Sequence, residues 1–368
     1  MSQPDASHRP RRDLFQPAAL GAAVAAAADV VADLRQALTS PESAEPEPDA
    51  SPLLRFSRSA MATLFEVLLP LGTPRAHAAA QSALDVIDAV EDELSIYRPT
   101  SALSDLNRRA CAEAVTVSPG LFAFLEQAAR LHEQTGGAFD LAAGALVAAW
   151  GFFRGPARWP DAAELSAARQ ASGMQHVELD PATCRVRFRR PGIVLNPGSI
   201  GKGWALDAAA QALARQGCSS ALLQGGCSSV LALGTPPGSP TGWCVGLADP
   251  RVPVRRQARL WLKDQALATS AATFKQASVG GRAINHILDP RIGLPASGLL
   301  AATALAPTAA QADALATAFF VLAPQESAAV CAALPGVGAL LIGTDGSEPI
   351  RLGVARELTM VWGEADAT

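Results

Sequence analysis

Tyrosine is almost missing from this 368-residue chain: Tyr97 stands alone, and aromatic residues of all kinds make up 5% of the sequence. With so few rings and no basic stretch that interleaves them, nothing in the sequence builds the cationic, stacking face that nucleic acid requires. The six cysteines (Cys111, Cys184, Cys218, Cys227, Cys244 and Cys331) contain no CxxC pair and have no histidine at zinc spacing, which removes the common structural zinc sites. Buried free thiols are the expected state, although an even count would also permit disulfides after export. Charged residues are sparse at 17%. The longest apolar run near the start, Phe15 to Ala28, is too short to span a bilayer. No solenoid-type repeat is present.

What is abundant is alanine and leucine, which supply most of a 49% hydrophobic content and a mean hydropathy of +0.18. A chain of this length can bury a large core, as one domain or as two lobes. Strand-like and helix-like segments alternate, punctuated by 30 glycines and 27 prolines, and this argues for a mixed α+β fold. Expected elements include a strand over ATLFEVLLP, an amphipathic helix from about Pro74 to Tyr97, a helix from about Pro119 to Thr135, a strand over RVRFRRPGIVLN and a strand over WCVGLADP.

Chemistry concentrates in the second half. In ADALATA, Asp313 and Thr317 lie four apart in a strongly helical segment, so their oxygens share one helix face. A carboxylate and a hydroxyl are hard donors, so the pair is either a half-site for Mg²⁺ that substrate phosphates and water would complete or simply a polar stripe. Upstream, LNPGSIGKGWALD places three glycines, Ser199 and Lys202 between a strand and a helix. Glycines admit close backbone approach, the helix N-terminus favours an anion, and Lys202 adds a point charge, so the segment reads as a phosphate cradle or as a plain glycine-rich strand-to-helix connection. It is neither a Walker A loop nor a Rossmann turn, since neither spacing is present. Gly225 and Gly226, after the strand-like SSALLQ, read as a hairpin or tight turn.

These pieces resemble the ApbE family, the FAD:protein FMN transferases. Collinear matches run from about Met61 to Leu322: MATLFEV, LSIYRPTSALSDLN, TGGAFDLAAGALVAAWGF, LNPGSIGKGWALD, LLQGGCSSVLALG, NHILDPRIGLP and APTAAQADALATAFFVL. The resemblance implies an ApbE-like, T-fold-related sheet-and-helix catalytic domain over residues 53–364. It also implies Mg²⁺-dependent transfer of FMN from FAD to a threonine of an acceptor flavoprotein, with AMP leaving. By the same resemblance Met61 and Tyr97 contact the flavin, and Ala138, Phe139, Asp140, Asn196, Lys202 and Ile287 hold FAD. The backbone around Ser199 joins Asp313 and Thr317 at the metal. His286, in His-x-x-Asp-Pro, is the general base for the acceptor hydroxyl, or else orients Asp289 and its turn. Arg291 pairs with Asp289 or with a phosphate. His132 and His176 carry no assigned chemistry.

The chain departs from the family pattern at Asn196 for aspartate, Ser199 for glycine, Gly201 for alanine, Gln224 for asparagine and Ile292 for threonine. Two alternatives follow: a metal-dependent FAD pyrophosphatase, with water as acceptor, and a non-catalytic FAD-binding protein. Residues 1–52 form an N-terminal extension with four arginines against eight acidic residues, ending in the linker-like PESAEPEPDASP. Arg11 and Arg12 before the apolar run resemble a twin-arginine export signal, while Asp13, Asp29 and Asp33 suit a surface helix on a tail. Cytoplasmic and exported locations both stand on this reading, and membrane contact follows only if the segment directs export.

Overall fold

The computed structural model describes residues 52–153, 155–252, 255–272, 276–279, 282–356 and 360–362. The extension, with its export-signal reading, lies outside them, apart from Pro52. Eight strands make one antiparallel sheet: β1 (Leu53–Ala60), β2 (Thr63–Pro70), β6 (Ala221–Gly225), β7 (Ser229–Leu233), β10 (Gln265–Ala271), β15 (Leu299–Ala306), β16 (Gly338–Gly343) and β17 (Ile350–Gly353), adjacent in that order. A three-stranded sheet of β8 (Trp243–Ala248), β9 (Arg256–Leu262) and β18 (Met360–Trp362) covers one face. Leu68, Leu222, Val230, Leu267, Leu305 and Leu340 bury against Trp243, Val245 and Leu260 between the two sheets. Smaller pairings join β3 (Val115–Thr116), β4 (Val177–Asp180) and β5 (Arg185–Phe188), then β11 (Gln276–Val279) with β12 (Arg282–Asn285), and β13 (Leu288–Asp289) with β14 (Leu294–Pro295).

The opposite face of the large sheet carries the helices and the main core. Helix α1 (Ala76–Leu94) buries Ala76, Ala79, Ala80, Ala83, Leu84, Ile87, Val90 and Leu94, the i, i+3, i+4 stripe that a half-buried helix requires. Helices α2 (Ala102–Arg109) and α3 (Pro119–Gln134) start where Ser101 and Ser118 accept the backbone N–H of Ser104 and Leu121, satisfying donors that a helix start leaves open. Then follow α4 (Gly144–Ala149), α5 (Ala162–Gln170), α6 (Gly201–Arg215), α7 (Ala309–Val321) and α8 (Pro324–Ala333). Helix α7 is buried on every side, with only Gln311, Thr317 and Val321 reaching any surface. Its alanines let α6 and the sheet approach closely on either side. Among the described residues no helix is long and apolar enough to cross a membrane.

The expected helices and the β6–β7 hairpin stand where the sequence places them, but the strand read over residues 185–196 ends at Phe188. Pro191 removes a ladder donor and Gly192 sits at φ +83°, so pairing cannot continue. Tyr97 falls three residues beyond α1. The cysteines are free, but only Cys218 and Cys331 are buried, while Cys111, Cys227 and Cys244 are exposed. Cysteine burial does not follow from composition alone.

Candidate functional site

The chemistry gathers where α6 and α7 cross beside β7. Asp313, almost fully buried on α7, accepts hydrogen bonds at Oδ2 from the Gly203 backbone N–H (2.8 Å) and Lys202 Nζ (3.4 Å). Its Oδ1 accepts from Ser229 Oγ at 2.5 Å. One turn along α7, Thr317 Oγ1 lies 3.3 Å from Ser270 Oγ and 3.5 Å from the Asp313 carbonyl. The sheet explains this convergence. On β10 the residues that share the face with Ala266 and Ala268 look towards the helices, and Ser270 continues that row to Thr317.

Three segments surround this junction. The turn Pro197–Ser199 runs directly into α6, with Asn196 Oδ1 accepting from Gly198 N–H at 3.0 Å. Asn107 fixes the approach to that turn by donating to Leu195 O (3.0 Å) and accepting from Leu195 N–H (2.8 Å). Met61 and Ala62 form the two-residue β1–β2 turn with φ of +49° and +57°, the left-handed pair whose twist suits a hairpin but which usually recruits Asn-Gly. That tip abuts the β6–β7 turn, where Gly226 N–H donates to Leu64 O at 2.8 Å. Met61, Asn196, Ser199 and Lys202 are thereby tied to one region with Asp313 and Thr317.

The segment Ala138–Asp140 is built into the core. Ala138 and Phe139 are 1% and 0% exposed, so only backbone remains to meet a ligand there. The Phe139 N–H donates to Thr135 Oγ1, and Asp140 Oδ1 accepts from the Ala142 and Met174 N–H groups. Burial raises the Asp140 pKa above the usual carboxylate range, against the pull of His132, whose Nδ1 lies 3.8 Å from Oδ2. His132 therefore has a partner that its position in the sequence did not disclose. Asn196 N–H donates to Leu141 O, which links this segment to the glycine turn.

Tyr97 is 62% exposed and stacks obliquely on Phe153 at 5.3 Å, leaving much of its ring open. His286 is half-buried just before β13, and Ile287 is buried, with its backbone bonded to Asn285 Oδ1 and Ala296 N–H. Arg291 is committed to Asp289 (3.0 Å) and Glu326 (3.2 Å), so the ion pair prevails over a free phosphate ligand in this turn. A concavity of about 620 Å³ lies between His132, Asp140, Arg169, His176, Arg190 and Arg291. Neither Lys202, Asp313 nor Thr317 lines it, so cavity size and site chemistry point to different places, and the donor set decides. Sequence reasoning missed Asp207, Ser229 and Ser270 as members of the junction, although Asp207 stands inside the quoted glycine motif.

The junction fits a hard cation. Asp313 lies close enough for its charge to help raise the Asp207 pKa, and Lys202 is the one ion-pair partner of either carboxylate among the described residues. The balance is negative. Thr317 Oγ1 makes only long contacts, so its lone pairs are uncommitted. No group of three or more histidine, cysteine or acidic side chains converges among the described residues. That donor set suits Mg²⁺, which completes its shell with phosphate and water, better than a metal needing an all-protein cage.

A model of the ApbE family matches residues 61–341. Among curated relatives, an FAD:protein FMN transferase of Treponema pallidum is 34% identical over 283 residues, covering 73% of this chain and 78% of its own. Another from Vibrio cholerae is 30% identical over 260 residues, covering 69% and 76%. The crystal structure of the ApbE protein of Thermotoga maritima superposes with a TM-score of 0.75 at 28% identity, over 83% of this chain and 99% of that one.

Proposed function

The chain belongs to the ApbE family, and on that premise we propose that it is an FAD:protein FMN transferase that uses Mg²⁺ and a threonine hydroxyl of its acceptor. The observation that carries this reading is the convergence of the Asp313 carboxylate, the Lys202 ammonium and the lightly bonded Thr317 hydroxyl beside the glycine turn. Asp313, Thr317 and the backbone around Ser199 would hold the metal, which supplies charge neutralisation for the diphosphate and the AMP leaving group.

The remaining roles belong to the chain's own groups. Lys202 and the α6 N-terminus bind the phosphates, while Tyr97 and Met61 cover the flavin. His286 takes the proton of the acceptor hydroxyl as its oxygen bonds to the FMN phosphorus. The bond from that phosphorus to the bridging oxygen breaks, and the oxygen departs with AMP. Asn196, where the family has aspartate, holds its own turn through Gly198. The departure therefore keeps the loop's local geometry while removing one charge.

Purified protein incubated with FAD and Mg²⁺, with and without an acceptor bearing the family's target threonine motif, tests this reading. AMP release with an FMN-sized mass gain on the acceptor, both abolished by EDTA, is expected. AMP without mass gain would replace the reading with FAD hydrolysis, and bound FAD without AMP would leave a flavin binder.

A further inference from the structure

We infer that Asp207 is a positioning residue that sets the register of α7 and so places Asp313 for the cation, an inference that rests on the metal reading above. Asp207 lies on α6, one turn past Gly203. Its Oδ1 accepts the Ala309 N–H at 2.7 Å and its Oδ2 the Ala310 N–H at 2.9 Å. Those amides open α7 and have no partner within their own helix. The side chain of Thr308, the helix's own cap, accepts from Gln311 N–H and reaches neither of those amides.

The grip is reciprocal. Asp313 on α7 accepts the N–H of Gly203, an amide in the first turn of α6. Each helix thus caps the start of the other with a carboxylate, and the two backbones touch between the caps. A Cβ on Gly203 would stand 2.1 Å from Ala309 O and 2.6 Å from Ala310 N. Slipping α7 by one residue would shift it by about 1.5 Å and turn it by about 100°, carrying Asp313 away from Lys202 and Ser229. Two bonds from one rigid carboxylate oppose both motions at once. Asparagine cannot replace it, because an amide offers one acceptor and turns its NH₂ towards the second N–H.

The test titrates Mn²⁺ into the full chain in the presence of AMP, the leaving group, which cannot turn over, and reads bound metal by electron paramagnetic resonance. Asp207→Asn is expected to bind Mn²⁺ at least tenfold more weakly than wild type. Leu260→Ala, which loosens the three-stranded sheet away from the junction, controls for lost stability and should bind as wild type does. Should Asp207→Asn not fold, Asp207→Glu, which keeps both acceptors but pushes α7 outward by a methylene, carries the same expectation. Wild-type affinity in a folded Asp207 variant overturns the inference and leaves the metal reading intact. A wild-type protein that binds no Mn²⁺ overturns both.

Discussion

Two glycines at the start of α6 should respond oppositely to the same methyl group. At Gly203 a Cβ would meet backbone of α7 at 2.1, 2.4 and 2.6 Å, with no flexible side chain to yield, whereas at Gly201 its nearest neighbour is Pro197 Cβ at an ordinary 3.4 Å. Relieving the clash requires α6 and α7 to separate by about 1 Å. Overpacking of this kind costs about 1–3 kcal/mol. Separation also strains the 2.8 Å bond from Gly203 N–H to Asp313, and bonds to charged groups are worth about 1.5–3 kcal/mol. Helix propensity returns about 0.5–1 kcal/mol for alanine over glycine. Gly203→Ala should therefore lose about 2–4 kcal/mol, while Gly201→Ala should be neutral or gain up to about 1 kcal/mol. Urea unfolding without added metal measures both, provided the slopes match wild type. Equal midpoints for the two variants would refute the close crossing of α6 and α7.

Other expectations concern the supports of the site. Asn107→Ala leaves both backbone groups of Leu195 without their partner and should cost about 2 kcal/mol in urea unfolding, with weaker FAD binding by fluorescence titration; unchanged FAD affinity would detach Asn107 from the site. Ser229→Ala deletes the donor to Asp313 Oδ1 and should weaken Mn²⁺ binding, measured as above, with no change in the acceptor's identity. Burial, offset by the two α7 amides and helped by Asp313, raises the Asp207 pKa from 3.8 to about 6. The folded state then holds the proton more tightly, so this group's contribution falls as pH rises from about 4 to about 6, by at most about 3 kcal/mol. Wild type should lose stability relative to Asp207→Asn across that window, and a flat difference would reject the shift.

The legible parts of the site were those with a short-range signature. Asp313 and Thr317 are four residues apart on one helix, and the glycine motif announces its own turn, so spacing was enough. Ser229 and Ser270 were not legible, because each reaches α7 across a sheet whose strand order no local pattern specifies. Asp207 ends the quoted glycine motif with nothing local to announce its role, because its partners lie about a hundred residues away. Conversely, Ala138 and Phe139 stand in a motif that reads as ligand contact while their side chains fill the core. The overlong strand at residues 185–196 shows the same asymmetry: alternation was followed past a proline and a glycine that end pairing.

The order of the large sheet also governs when a nascent chain can become competent. Strand β2 pairs on its inner edge with β6, so the β1–β2 hairpin leaves the ribosome with a bare edge that must wait while six helices and three short strands are translated. Thr317, the last of the proposed metal ligands along the chain, emerges later still, after β15, the partner of β10. A message truncated before that codon would yield chains with the β15 edge open and the proposed metal site incomplete.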